Sequence, residues 1–294
     1  MGRSDLHRHA QGGGRGVSGA LAGRTAVITG SGRKGGLGEA IALRLAAEGA
    51  NIVLSDVGTS RDAATPDAMV GLSTEMDGIA AAIAATGVKV STRACDVRIR
   101  AEVQALADHA VATHGSLDIW INNAGIGYIV KPLLDVSEEE WNAVIGVNLT
   151  GAFYGVQAAA QRMVKQARGG RIVNIASQAA KSGFPNMQAY TSSKHGLVGL
   201  VRSAATELGE HGITVNNVCP NHVTTGLGAW QNAYFAERQG KTVEQYVTDM
   251  AARIPMGRPG LPQDTANAVA FLCSDEAAYI TAESLNVSGG EEPH

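Results

Sequence analysis

Ser177, Tyr190 and Lys194 are the residues of this chain best suited to moving a proton. Tyr190 and Lys194 stand four apart, so on a helix they share a face one turn apart. A phenol with an ordinary pKa of about 10 gives up its proton reluctantly near neutrality; an ammonium one turn away favours the phenolate. Ser177 follows the apolar run Arg171-Ile172-Val173-Asn174-Ile175-Ala176, which reads as a short buried strand. Its hydroxyl is placed to hold a substrate oxygen against the phenol. Together the three make an acid/base device for a carbonyl or an alcohol. A Tyr-x-x-x-Lys pair is also what an ordinary exposed helix face carries, so its weight rests on the elements around it.

Those elements alternate. Thr25–Thr29 is a short apolar strand that runs into Gly30-Ser31-Gly32-Arg33-Lys34-Gly35-Gly36-Leu37-Gly38, and Glu39–Glu48 has helical periodicity ending at Gly49. In that context small residues let the backbone approach a pyrophosphate, whose charge the helix N-terminus favours. Asn51–Asp56 is a second strand ending on an acid. An acid roughly twenty residues past the glycines can bind both hydroxyls of an adenosine ribose and would repel a 2′-phosphate. Asp56 therefore argues for NAD; the cations Arg33 and Lys34 argue mildly for NADP. Residues 57–74 form a long, turn-rich connection, of a length that is usually functional or mobile, before a helix at about 75–86. Val88–Cys95 is the third strand. Asp96-Val97 follows, where Asp96 either meets an adenine amino group or caps the helix at about 99–113. Leu117–Ile121 is the fourth, with Asn122-Asn123-Ala124-Gly125 at its carboxyl end, the edge where open α/β sheets bind ligands. Glu138–Ala167 reads as one long helix containing Asn148, a polar residue on a buried face that needs a partner. That partner is either structural or a water relayed toward the active site.

Ile213–Val218 is the sixth strand, ending in Cys219-Pro220-Asn221-His222-Val223-Thr224-Thr225. Trp230, Tyr234, Phe235 and Tyr246 put four of the thirteen aromatics into one short region. It reads as a lid over a pocket, about 221–258, or as a subunit contact. Gln263–Cys273 is a helix and Ser284–Val287 a last strand. With no repeat or linker inside residues 21–290, the chain reads as one α/β domain, a Rossmann-type doubly wound parallel sheet of about seven strands.

Composition narrows the rest. The 37 glycines suit closely packed βαβ units, and a formal charge of -3 implies no polyanion, hence no nucleic-acid partner. No apolar run approaches the roughly 20 residues of a membrane span, so no membrane partner is expected. Residues 1–20 lack the apolar core of a secretory signal and are expected to be disordered. Cys95, Cys219 and Cys273 lie far apart without a CxxC. They suggest no disulfide framework and no metal site, and suit a reducing, cytoplasmic compartment. The acidic tail Glu291-Glu292-Pro293-His294 is expected either to reach a neighbouring subunit or to be disordered.

The glycine loop, Asn122-Asn123-Ala124-Gly125, Ser177 and Tyr190-x-x-x-Lys194, in this order and spacing, resemble the short-chain dehydrogenase/reductase family over essentially residues 21–290. The resemblance implies a catalytic tetrad of Asn148, Ser177, Tyr190 and Lys194. It implies a nicotinamide cofactor held by Gly30, Ser31, Arg33, Gly36, Leu37, Gly38, Asp56, Asp96, Val97, Asn123, Ala124, Gly125, Tyr190, Lys194, Pro220, Val223 and Thr225. It also implies a homotetramer built on the long helices of the fourth and fifth crossovers. Gln178, Lys181, Phe184, Met187, Tyr128, His222 and Trp230 fall around the implied substrate pocket, a mixture suited to a moderately polar secondary alcohol or ketone. Alternatives are a 3-oxoacyl thioester reductase, a dehydrogenase with tightly held NAD and an external electron acceptor, and a non-catalytic NAD sensor.

Three departures from the family pattern stand out. Five residues, two more than usual, separate Gly30 from Gly36, which predicts a bulged first turn. Asn221 replaces the usual Gly after Pro220, and Asn is expected there because it tolerates left-handed geometry. The connection after Asp56 is longer than the family norm, as in relatives that hold their cofactor very tightly.

Overall fold

The computed structural model describes residues 19–61 and 70–292. Most of the expected N-terminal tail, the middle of the 57–74 connection and Pro293-His294 lie outside the described residues. Seven parallel strands form one sheet in the order β3-β2-β1-β4-β5-β6-β7. They are β1 (Thr25–Thr29), β2 (Asn51–Ser55), β3 (Val90–Thr92), β4 (Ile119–Asn122), β5 (Gly170–Ile175), β6 (Ile213–Pro220) and β7 (Ser284–Val287). Side chains alternate across a strand, and the core divides accordingly. Ala26, Ile28, Ile52, Leu54, Ile119 and Ile121 face α1 (Leu37–Ala47), α2 (Ser73–Ala84) and α9 (Pro262–Cys273). Val27, Val53, Trp120, Ile172 and Val215 face α3 (Arg100–His114), α4 (Glu138–Ile145), α5 (Gly151–Gln166) and α6 (Gln188–Leu208). Strand order reverses between β1 and β4, which opens a crevice at their carboxyl ends.

Two elements differ from the sequence reading. The third strand is only Val90–Thr92, because this edge strand pairs on one side alone. The expected single helix 138–167 is broken by a π turn at Gly146–Thr150 between α4 and α5. Such turns widen the helix and recur at functional sites; here it carries Asn148. The run Glu138–Gln166 is, by length and composition, apolar enough to cross a membrane, contrary to the expectation from short apolar runs. Its most apolar window is 61% buried, and it packs on the sheet as a core helix does.

A polar ladder crosses the core. Asn122, Asn174 and Asn217 occupy matching register positions on β4, β5 and β6, and Ser284 of β7 stands opposite Asn217. The Asn122 amide donates to Asn174 Oδ1 at 2.8 Å, the Asn174 amide to Asn217 Oδ1 at 3.1 Å, and the Asn217 amide to Ser284 Oγ at 3.0 Å. Trp120 Nε1 donates to Asn122 Oδ1 at the other end, 2.7 Å away. Replacing Asn174 with leucine leaves one Asn122 N–H and the Asn217 carbonyl oxygen buried without these partners. Unfolding by denaturant should show a loss of about 2–4 kcal/mol. A loss below about 1 kcal/mol would mean that the ladder contributes no more than ordinary surface bonds do.

Candidate active site

The ladder ends beside the chemistry. One residue past Asn174, the Ile175 carbonyl accepts from Lys194 Nζ at 2.7 Å. Ser177 begins the turn after β5, where its hydroxyl accepts from the Ala179 N–H at 3.1 Å. Tyr190 and Lys194 lie in α6 on one face, with Nζ 5.5 Å from the phenol ring centroid. Burial pushes the Tyr190 phenol above its ordinary pKa, and a hydrogen bond with Ser177 partly opposes this. Burial lowers Lys194 to about 8. In the protein alone, burial thus outweighs the lowering of the Tyr190 pKa that the lysine was expected to provide.

Asn148, 2% exposed, is held by the π turn against the strand-β4 loop. Its Oδ1 accepts from Ile126 N–H at 2.8 Å, and its amide donates to the Ile126 carbonyl at 3.0 Å and to Ser193 Oγ at 3.2 Å. Ser193 in turn donates to the Tyr190 carbonyl at 2.6 Å. Both amide protons are therefore used within the protein. The side chain ties the loop after β4 to the helix carrying Tyr190.

A groove of about 210 Å³ runs along the carboxyl ends of β1, β2 and β4. Gly30, Arg33, Gly36, Leu37, Gly38, Asp56, Asp96, Val97, Asn123, Ala124, Gly125 and Thr225 line it. Gly30 and Gly38 are both sterically required. A Cβ on Gly30 (φ +64°) would come within 2.6 Å of Ala124 Cα, and one on Gly38 within 2.4 Å of the Gly30 carbonyl oxygen. The α1 N-terminus has no side-chain cap, so its first N–H groups are open to an anion. Thr29, which the sequence reading passed over, ties the two loops together: its Oγ1 accepts from the N–H groups of Asn123 and Ala124, each at 3.1 Å. Lys34 and Gly35 form a turn within this loop, and the Lys34 N–H donates to Glu75 at 2.6 Å.

Three groove assignments change in detail. Ser31 is fully buried, donating to the Ile28 carbonyl at 2.8 Å and accepting from Ser55 N–H at 3.0 Å, so it braces β1 against β2 and does not line the groove. Asp96 neither caps α3, whose N-cap is Ile99, nor stands free. Its carboxylate is gripped by the Arg98 guanidinium at 2.6 Å and by Arg98 N–H at 3.0 Å. Although burial opposes it, this contact lowers the pKa of Asp96. Asp56 lines the groove, but its carboxylate also accepts from the backbone N–H groups of Gly32 (2.9 Å), Val57 (2.9 Å) and Gly71 (3.2 Å). Burial raises its pKa against these bonds. The far end of the long connection thus returns to the second-strand acid.

Adjoining the groove is a cavity of about 550 Å³ lined by Ser177, Tyr190 and Lys194. Gln178, Phe184, Met187, Pro220, His222, Val223 and Thr225 also reach it; Lys181 and Trp230 are absent from its wall, and Tyr128 lines the groove instead. Trp230 stacks on Tyr234 with centroids 5.5 Å apart, within its own helical segment. The aromatic-rich segment folds as α7 (Gly226–Arg238) and α8 (Val243–Arg253), closed by a small core of Phe235, Ala236, Tyr246, Met250 and Ile254. Gln231 donates to the Gly127 carbonyl at 3.0 Å and Tyr234 to that of Val130 at 3.1 Å, tying it to the loop after β4. Residues not foreseen on the cavity wall include Leu227, Gln231, Tyr246, Arg253 and Glu291.

Asn221 is not among the residues with positive φ, so left-handed geometry does not explain it. Its amide donates to the Glu291 carboxylate. Glu291 and Glu292, expected in a free or intersubunit tail, fold back onto this cavity.

Residues 30–292 match the family described as "Enoyl-(Acyl carrier protein) reductase". The chain is 33% identical to L-2,3-butanediol dehydrogenase of Corynebacterium glutamicum, covering 91% of this chain and 98% of that one. It is 35% identical to the 3-oxoacyl-[acyl-carrier-protein] reductase FabG of Staphylococcus aureus, over 91% and 97%. Carveol dehydrogenase from Mycobacterium avium, solved in complex with NAD, superimposes with a TM-score of 0.86 at 32% identity, over 93% of this chain and 99% of that one.

Proposed function

Since the chain belongs to the short-chain dehydrogenase/reductase family, we propose that it transfers a hydride between a nicotinamide cofactor and the carbon of a secondary alcohol or ketone. The observation that carries this reading is the convergence of Ser177, Tyr190 and Lys194 on one cavity that adjoins a glycine-walled groove. The groove suits a dinucleotide: its close-packed glycines leave backbone where a pyrophosphate lies, and the uncapped α1 N-terminus faces the same loop. When bound, the nicotinamide supplies or accepts the hydride.

The protein's own groups do the rest. In the oxidising direction Tyr190 takes the alcohol proton at its phenol oxygen, and Ser177 holds the substrate oxygen. Lys194 stands by as an ammonium anchored on the Ile175 carbonyl. Its other N–H donors are left for the cofactor ribose, and its charge favours the phenolate that forms. Asn148 is a positioning residue: through Ser193 it fixes the backbone of Tyr190. Alignment of donor and acceptor is itself a large part of such a rate.

Asp56 favours NAD over NADP in this reading. Its half-buried carboxylate sits at the end of β2 beside the groove, where a 2′-phosphate would meet like charge. A fluorescence titration of cofactor-stripped protein with NADH and NADPH tests this, followed by a panel of secondary alcohols with NAD⁺. NADH should bind more tightly, and Asp56→Ala should shift the ratio toward NADPH by about tenfold, equivalent to about 1.4 kcal/mol. NADPH binding as tight as NADH to the wild type would overturn the assignment. Val70 and Gly71 on the groove wall favour a second version, in which NAD is held without free exchange. NAD that resists stripping, with turnover only on adding an artificial electron acceptor, would select it.

Three buried free cysteines support a reducing, cytoplasmic setting. Half-exposed Trp141 and Phe153 on α4 and α5, with exposed Phe271 on α9 across the sheet and Leu285 on the edge strand β7, support a homotetramer.

A further inference from the structure

The lower wall of the substrate cavity is built from the end of the chain. Glu291 stands where three elements meet: the loop after β6, the last turn of α8 and the segment after β7. Asn221 donates to its Oε2, Arg253 Nε lies 3.4 Å from its Oε1, and His222 Nε2 lies 3.8 Å from its Oε2. The carboxylate is 15% exposed, and all four residues line the cavity that holds Ser177, Tyr190 and Lys194. The tail is pinned by Glu292 as well, whose carboxylate accepts from Ser182 at 3.0 Å and whose carbonyl accepts from Asn286 at 2.9 Å.

One feature of this corner points to a ligand. A carboxylate offers roughly four acceptor positions, and the contacts named leave part of that capacity to the cavity that Glu291 lines. The carboxylate accepts, so the matching substrate group is a donor. Arg253 already offsets the Glu291 charge, so a cationic substrate gains little, while a carboxylate or phosphate meets Glu291 and Glu292. A neutral hydroxyl fits.

Resting on the reading of this site as an alcohol dehydrogenase, we propose that Glu291 is a specificity-determining residue that binds a second hydroxyl, so that the substrate is an uncharged diol, polyol or hydroxyketone. Asn221, where the family usually has glycine, serves this by holding the carboxylate in place.

The test compares kcat/KM for a diol series, the mono-alcohols of the same carbon skeletons and the corresponding hydroxy acids, in wild type and in Glu291→Ala. Wild type should prefer the best diol over its mono-alcohol by about tenfold or more, as a charge-assisted hydrogen bond warrants. Glu291→Ala should lose that preference mainly through a rise in the KM for the diol. Asn221→Gly should reproduce part of the loss, which separates a held carboxylate from a general effect at the chain end. If wild type turns over mono-alcohols as well as diols, or hydroxy acids better than either, the assignment of Glu291 is wrong while the dehydrogenase reading stands. The same holds if the diol preference survives Glu291→Ala. No turnover of any alcohol with either nicotinamide cofactor would overturn both.

Discussion

Replacing Tyr190 with phenylalanine should lower kcat/KM by about 10²–10⁴-fold, the range that positioned proton transfer supplies. Cofactor affinity should stay nearly unchanged. The substitution removes one oxygen from a side chain whose ring is packed between Gly127 and the α6 core, so the fold has little to lose. The loss should fall on kcat and kcat/KM together, because the proton moves in the transition state rather than on binding. Equal turnover in both proteins would exclude Tyr190 as the acid/base. Cofactor binding without turnover in either would favour an NAD-binding sensor. The experiment thus separates catalysis from mere recognition, which the shape of the groove cannot do.

The elements that place this tyrosine were legible because each carries a strong local signal. β1 is five buried residues running into glycines, and α6 follows a Gly-Phe-Pro turn. The alternation of strand and helix left a doubly wound parallel sheet as the consistent arrangement. What escaped was non-local. Asn122, Asn174 and Asn217 look like three unrelated polar residues until the register aligns them. The π turn at Gly146–Thr150 has the same apolar period as the helices flanking it, so periodicity alone reads straight through it. Asn221 was read as a backbone residue, whereas it acts through its side chain on a partner seventy positions away. The family resemblance puts Lys181 and Trp230 around the pocket; the short 3-10 turn Gln178–Ala180 and the Trp230–Tyr234 stack set their directions. For the side chains among these, tertiary contact decided the direction.

The second large effect concerns Lys194, where stability and function pull apart. Lys194 is 5% exposed, and burial lowers its pKa from 10.5 to about 8. Between those two values the unfolded chain binds the proton and the folded chain has released it. Stability therefore rises with pH across about 8 to 10.5, and the full penalty of the buried charge is present below about 8. The penalty is of order 3 kcal/mol, at about 1.4 kcal/mol per unit. Tyr190 works in the opposite sense, but only above its ordinary value of about 10, because its folded pKa is raised.

Lys194→Met keeps the length of the side chain and removes the charge. It also leaves the Ile175 carbonyl without its donor, which costs about 1–3 kcal/mol and offsets much of the gain at neutral pH. The difference between the two proteins should then change with pH in a way that no constant packing term can imitate. From pH 8 to pH 10 the wild type should gain about 2–3 kcal/mol on Lys194→Met, measured by urea unfolding at each pH. Over the same substitution kcat/KM should fall by about 10²-fold or more, since the ammonium that stabilises the phenolate is gone. A stability difference flat with pH would show that Lys194 keeps its ordinary pKa in the folded protein. A parallel rise accompanied by full activity would show that the buried charge is real but does no chemistry. The expected result, a charge held at a cost to the fold and lost together with turnover, is what ties the buried ammonium of Lys194 to the reaction at Tyr190.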